Sequence, residues 1–320
     1  MTFSNKALRG IIPPMVTPLA GEDELDRNNV ERLIEHMIRG GVHGLFVCGT
    51  TGEGPSLSYR IRRELIRATC QQVKQRIPVL VGILDTSETE MLAMAQFAAD
   101  AGADAIVLAP PFYAPLSQLD LIRCVTTFAS ESPLPLYLYN LPDPRHIRYD
   151  ISTLKTCAET PRVIGFKDSS GNFEYLKQVL YLFRGRPDFP IFVGPENLLS
   201  RSIAAGAHGG ISGGANAFPH LYVGLYDAAT AGRAEDVQRL QALIDRFTRQ
   251  VYSVGEPEGN LIRGLKCCLS ILNLCESRVC WPYTPANAEQ RAEVERCIHE
   301  LIQDSAEILP NLLGKSPIYG

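Results

Sequence analysis

From residue 10 to about residue 231 the chain alternates short apolar runs rich in β-branched residues with longer stretches whose apolar positions return every three or four residues. The first pattern is that of a buried strand, the second that of a helix packed on one face. Strands are predicted at 10–18, 44–49, 78–84, 105–110, 134–140, 163–168, 190–194 and 209–213. Helical patterns follow each of them, at 27–39, 58–76, 87–101, 117–131, 150–158, 173–184, 196–205 and 218–231. Eight such units match the count and size of a closed (β/α)8 barrel, the TIM barrel. A doubly wound open sheet competes, but no Gly-x-Gly-x-x-Gly follows the first strand, as a dinucleotide fold would require.

After residue 232 only helical periodicity remains, at 234–252, 259–274 and 287–308. The chain is therefore expected to divide into a barrel over 1–232 and a C-terminal extension of three helices over 233–320. Within the barrel a punctuation mark recurs at Gly40-Gly41-Val42-His43-Gly44, Ala101-Gly102-Ala103-Asp104-Ala105 and Ala205-Gly206-Ala207-His208-Gly209. In each, glycine ends a helix and a short loop enters a strand, which makes His43 and His208 structural residues of the face opposite a barrel's active site.

Composition narrows the class. With 45% hydrophobic residues the chain can bury a large core, and a net charge of −4 without a basic stripe argues against nucleic acid or a membrane surface as partner. The nine cysteines are odd in number and form no Cys-x-x-Cys pair, and no apolar run is long enough to span a bilayer. A cytoplasmic protein with reduced cysteines is expected. No histidine clusters with carboxylates at metal-ligand spacing, so no metal is expected.

Against that background one residue stands out. Lys167 lies inside Val163-Ile164-Gly165-Phe166-Lys167-Asp168, an apolar run of strand length. A lysine at a strand end can snorkel to solvent, but a buried ammonium without a partner tends to give up its proton. The neutral amine is a nucleophile that forms a Schiff base with a carbonyl substrate.

Other strand ends would surround this lysine at the mouth of a barrel. Gly49-Thr50-Thr51-Gly52-Glu53-Gly54 offers amides and two hydroxyls to an anion of carboxylate size, although such a turn is often only a turn. Ala109-Pro110-Pro111-Phe112-Tyr113 and Tyr137-Leu138-Tyr139-Asn140-Leu141-Pro142 bring tyrosines, residues that commonly only pack but here could relay a proton with a threonine hydroxyl. The glycines of Gly209-Gly210-Ile211-Ser212-Gly213-Gly214 would admit close approach of a substrate or of a phosphate.

Taken in order and spacing, Gly49-Thr50-Thr51-Gly52-Glu53, Pro111-Phe112-Tyr113, Tyr139-Asn140-Leu141-Pro142, Gly165-Phe166-Lys167-Asp168 and Gly210-Ile211-Ser212 resemble the dihydrodipicolinate synthase / N-acetylneuraminate lyase family of pyruvate-dependent class I aldolases. The resemblance covers nearly the whole chain, the three C-terminal helices included. It implies that Lys167 forms the Schiff base with pyruvate or another 2-keto acid and that no further cofactor is needed. It implies Tyr139 as general acid/base, Thr50 as its link to solvent or to a second tyrosine, and Gly49, Thr50 and Thr51 as the carboxylate cradle. It implies further that Tyr113 reaches into a neighbouring subunit of a homo-oligomer, commonly a dimer of dimers, and that Gly194 and Ile211 line the pocket with backbone.

The chain departs from the family's synthases two residues after Pro142. The arginine that binds the second substrate's carboxylate there is replaced by Pro144, with Arg145 one place later. Lys167-Asp168-Ser169-Ser170-Gly171 looks more like members that cleave 2-keto-3-deoxy sugar acids or sialic acid, in which Ser169 and Glu196 would meet substrate hydroxyls. Aldol cleavage of such an acid is therefore the first expectation and condensation of pyruvate with aspartate semialdehyde the second. Two readings of other classes compete with both: a sensor that binds a keto acid without turning it over, and a phosphosugar barrel that makes no Schiff base.

Overall fold

Eight short parallel strands wind into a barrel in the computed structural model, which describes residues 7–113, 115–141 and 148–308. They are Gly10–Ile11, Leu45–Val47, Val79–Ile83, Ala105–Leu108, Leu136–Asn140, Val163–Asp168, Ile191–Val193 and Gly209–Gly210. From the second to the eighth each pairs with the next, and the eighth pairs with the first. The ring closes between the first and second strands, where His43 and Phe46 donate their amides to the carbonyls of Ile11 and Pro13 and Met15 donates to that of Phe46, at 2.8 to 3.0 Å.

The fold agrees with the barrel and its C-terminal helices, and differs at the two terminal strands. The first ends at Ile11 because Pro13 and Pro14 have no amide to donate. The chain then forms a small antiparallel hairpin, Leu19–Gly21 with Glu24–Leu25, that the periodicity did not reveal. The eighth ends at Gly210, and a 3-10 turn, Gly213–Asn216, takes over.

Two apolar layers hold the barrel, as strand alternation requires. Ile12, Phe46, Leu80, Val107, Tyr137, Phe192 and Ile211 fill the interior. A larger layer, including Leu45, Val81, Leu138, Phe166 and Val193, seals the outer face of the strands against the helices. Gly165 is small by necessity, since a methyl group there would collide with the Tyr137 ring inside the barrel.

The three punctuation marks share one job. His43 Nδ1 accepts the amide of Ile11, Asp104 Oδ2 that of Val79 and His208 Nδ1 that of Ile191, at 2.8 to 3.3 Å. Each side chain thus satisfies the start of the preceding strand, a group that the sheet leaves open.

These imidazoles accept through a ring nitrogen and are partly or fully buried, which favours the neutral form. Burial pushes His36, whose Nε2 faces the Ala217 carbonyl, and His208 down to about 4, and lowers His43. Below the ordinary value of 6.5 the unfolded chain takes up protons that the folded chain refuses. Stability is therefore full above pH 6.5 and falls as the pH drops toward 4. Urea melts at pH 7.5 and pH 5 are expected to differ by roughly 1–3 kcal/mol. Equal midpoints and slopes would refute the neutral-histidine account.

Candidate active site

Lys167 lies on the inward face of the sixth barrel strand and is only 4% exposed. Its ammonium sits 4.0 Å from the Tyr139 ring centre and 4.8 Å from that of Phe46. Among the described residues no carboxylate forms an ion pair with it. Burial lowers its pKa from the usual lysine value, and the charge and hydrogen bond of Tyr139 oppose that shift without cancelling it.

Tyr139 faces Lys167 across the ladder between the fifth and sixth strands. Burial alone would raise its phenol. The Lys167 charge, with hydrogen bonds to Thr50, Ser169 and Lys167, outweighs burial and brings the group below its ordinary value. The Thr50 hydroxyl is 3.5 Å from the phenol oxygen, and Thr50 itself is exposed, so the pair links the buried amine to the mouth of the barrel. Gly194 lies against Ser169, and a side chain there would displace the Ser169 hydroxyl.

One residue further along, the same two strands carry a polar clamp on the opposite face. Asn140 donates to Asp168 at 2.7 Å, and Asp168 also accepts from the amide and hydroxyl of Ser170, at 3.1 and 2.9 Å. Asn140 and Asp168 are 0% and 2% exposed. Because side chains alternate, fixing this pair outward fixes Tyr139 and Lys167 inward.

The turn after the second strand is held from both ends. The amides of Glu53 and Gly54 return to the carbonyls of Thr50 and Gly49, each at 3.0 Å. Glu53 adopts a left-handed conformation with φ 55°. Its carboxylate accepts the Cys280 amide at 2.5 Å and pairs with the Lys266 ammonium, which also donates to the Arg278 carbonyl at 2.7 Å. Both side chains of this ion pair are essentially inaccessible. Thr51 is half-buried in the same turn, and a side chain at Gly49 would collide with the Phe46 ring.

The sequence had offered a signal for Lys266 that went unused: like Lys167, it lies in an apolar run, Leu265-Lys266-Cys267-Cys268-Leu269. The helix Asn260–Ile271 from the extension thus reaches the turn that carries Thr50.

Other expected site residues are placed less uniformly. Ile211 is buried in the barrel interior beside Tyr139, and its amide bonds to the Val193 carbonyl. Tyr113 stands at the rim, 89% exposed. Glu196 is not free to meet a substrate hydroxyl. Its oxygens accept from the hydroxyls of Tyr222 and Tyr252, the latter at 2.8 Å, and from the Gly214 amide at 3.0 Å. That buried cluster ties the barrel to the helix Ala234–Val251 and its end, and holds the carboxylate on these donors. Arg145 and Pro144 lie outside the described residues.

Beside Thr50, whose hydroxyl meets the Tyr139 phenol, a cavity of about 870 Å³ opens, lined by Thr50, Glu53, Ser56, Leu84, Phe112, Tyr113, Leu141, Ile262 and Tyr283 among others. Among the described residues no group of three His, Cys, Asp or Glu side chains could hold a metal, and no helix is long and apolar enough to cross a membrane.

Comparison with known proteins accords with this geometry. The model of the dihydrodipicolinate synthetase family matches residues 7–301. The chain belongs to that family. Its members are lyases, and a relative from Halobacterium salinarum that is named a DapA-like lyase is 29% identical over 92% of this chain and 94% of its own length. The structure of a dihydrodipicolinate synthase from Bacteroides thetaiotaomicron is 46% identical and superposes with a TM-score of 0.90 over 93% of this chain and all of that one. The Escherichia coli protein YagE, solved in complex with pyruvate, is 28% identical with a TM-score of 0.87, over 92% and 98% of the two chains.

For this member of the family the buried ion pair makes a definite prediction. Lys266→Met, which strands the Glu53 carboxylate in the interior, is expected to lower stability by about 3–5 kcal/mol. Adding Glu53→Gln should recover much of that loss, because a neutral pair leaves no buried charge. Denaturant titration of the two variants checks this, and additive losses would contradict the pairing.

Proposed function

We propose that this chain is a Schiff-base lyase that makes or breaks a carbon-carbon bond between pyruvate and an aldehyde, using Lys167 and no cofactor. The observation that carries the proposal is the buried Lys167 amine in contact with the Tyr139 phenol, itself linked through Thr50 to the mouth. The pyruvate bound to YagE supports the choice of keto acid.

In the cleavage direction the Lys167 amine adds to the C2 carbonyl of a 2-keto-4-hydroxy acid, and loss of water leaves an iminium. Tyr139 gives and takes the protons of that exchange, with Thr50 and Ser169 holding its hydroxyl. Removal of the C4 hydroxyl proton breaks the C3–C4 bond. The electron pair enters the iminium as an enamine, and the aldehyde departs. Protonation at C3 and hydrolysis then return pyruvate and the free amine. The turn at Gly49, Thr50 and Thr51 holds the carboxylate of the keto acid through amides and hydroxyls. Ser169, beside Gly194, is also within the set that contacts substrate in this reading.

A 2-keto-3-deoxy acid fits as substrate, since Pro144 replaces the synthases' arginine. Condensation with aspartate semialdehyde is the second reading, favoured by the synthase from Bacteroides thetaiotaomicron, and it would need Arg145 for the partner's carboxylate. The working assembly in this proposal is a homo-oligomer into which the exposed Tyr113 projects as a neighbour's residue.

Incubation with pyruvate and borohydride followed by intact-mass spectrometry is expected to show one reduced pyruvyl adduct, absent in Lys167→Ala. The apparent pKa for imine formation should lie below the ordinary lysine value of 10.5, since burial disfavours the ammonium. Tyr139→Phe should form the adduct more slowly but still on Lys167, while turnover falls roughly 10²- to 10⁴-fold. An adduct that survives Lys167→Ala would dismiss the reading.

A further inference from the structure

The cavity beside Thr50 is built from two parts of the chain. Thr50 and Leu84 come from the barrel, and Leu141 follows the strand that carries Tyr139. Ile262 and Tyr283 come from the C-terminal extension, Ile262 from the first turn of the helix Asn260–Ile271. Tyr283 is fixed there: its ring packs against Gly259, where φ is +75° and a side chain would collide with it, and its amide returns to the Cys280 carbonyl at 3.0 Å. Cys280 is in turn the residue whose amide binds Glu53. The wall and the turn bearing Thr50 are therefore one connected construction.

Its charge balance is equally definite. Among the described residues that line the cavity there is no cationic side chain, and the one carboxylate, Glu53, is already answered by Lys266 and the Cys280 amide. A charged group moved from water onto this wall would lose its hydration and find no counter-charge. An uncharged chain meets Leu84, Leu141 and Ile262 with its apolar face and finds hydroxyls on Ser56 and Tyr283.

We infer that Ile262 and Tyr283 determine specificity by forming the wall against which the aldehyde half of the substrate lies, and that this half is uncharged. The inference rests on the Schiff-base reading, because Thr50, which lines the cavity and meets the Tyr139 phenol, marks the end that faces the keto acid. The C-terminal extension is then the part of the chain that selects the aldehyde, while the barrel performs the chemistry.

The test measures kcat/KM for condensation of pyruvate with two four-carbon aldehydes, butanal and the anionic 4-oxobutanoate. The expected result is a preference of at least roughly 10-fold for butanal, the lower end of what apolar contacts discriminate. Ile262→Ala and Tyr283→Ala should lower the butanal value and shrink the ratio, Tyr283→Phe should keep it, and Ile262→Lys should move it toward 4-oxobutanoate. The borohydride-trapped pyruvate adduct should form equally in all these variants, which reports both folding and the intact amine. A wild-type preference for 4-oxobutanoate that Arg145→Ala removes, or a ratio that none of the wall substitutions changes, would overturn the inference. Absence of the adduct from the wild-type protein would instead overturn the Schiff-base reading beneath it.

Discussion

The register between the fifth and sixth barrel strands is the constraint on which the site depends. Tyr139 stands opposite Lys167 and Asn140 opposite Asp168. Because the side-chain period of a strand is two, a slip of one residue would send the lysine to the helical layer and bring Asp168 into the barrel. Either move would place an unanswered charge in an apolar layer. The Asn140–Asp168 hydrogen bond, buried on the outer face, opposes that slip, and the Ser169 amide bonded to the Asn140 carbonyl at 2.8 Å extends the lock past the strand ends. The same bonds that secure the sheet thereby set the distance between amine and phenol.

Two buried lysines show how partner chemistry separates structure from reactivity. Lys266 is wholly inaccessible, yet it meets the Glu53 carboxylate and the Arg278 carbonyl and has donors and charge accounted for. Lys167 is also buried but faces two aromatic rings, one of them the Tyr139 phenol. A ring face attracts a cation without supplying a full counter-charge, so desolvation has more weight there. Both lysines sit in apolar runs, so the run alone could not tell them apart. What distinguishes them is an acidic residue more than two hundred positions away in the chain.

Much of the fold was legible because it follows from periodicity: strands and helices alternate where the apolar pattern alternates, and the helical extension begins where period-two runs cease. Lys167, Tyr139 and Thr50 could be grouped because a barrel gathers the ends of its strands at one mouth. The differences have equally physical causes. The prolines at 13 and 14 shortened the first strand, since each removes an amide from the ladder. Glu196 was expected at the substrate from its place after a strand, but Tyr222, Tyr252 and Gly214 converge on it from elements far apart in sequence. Long-range satisfaction of a buried carboxylate leaves no mark on its neighbours in the chain, and the wall made by Ile262 and Tyr283 was hidden for the same reason.

The proton between Lys167 and Tyr139 is best regarded as property of the pair. Burial favours the neutral amine, while the nearby amine, Thr50 and Ser169 favour the phenolate, so each group's titration depends on the other's state. With the proton on the phenol, Lys167 holds its lone pair and can attack a carbonyl. With the proton on the amine, the phenolate is a base that hydrogen bonds keep in place. In the proposed reaction addition to a carbonyl needs the first arrangement, and deprotonation of a substrate hydroxyl needs the phenolate. Were the lysine committed as an iminium, as proposed, its positive charge would persist and favour the phenolate beside it. In the proposed reaction the pair therefore supplies a nucleophile before the imine forms and a base afterwards, with Thr50 as the outlet through which the proton reaches the mouth.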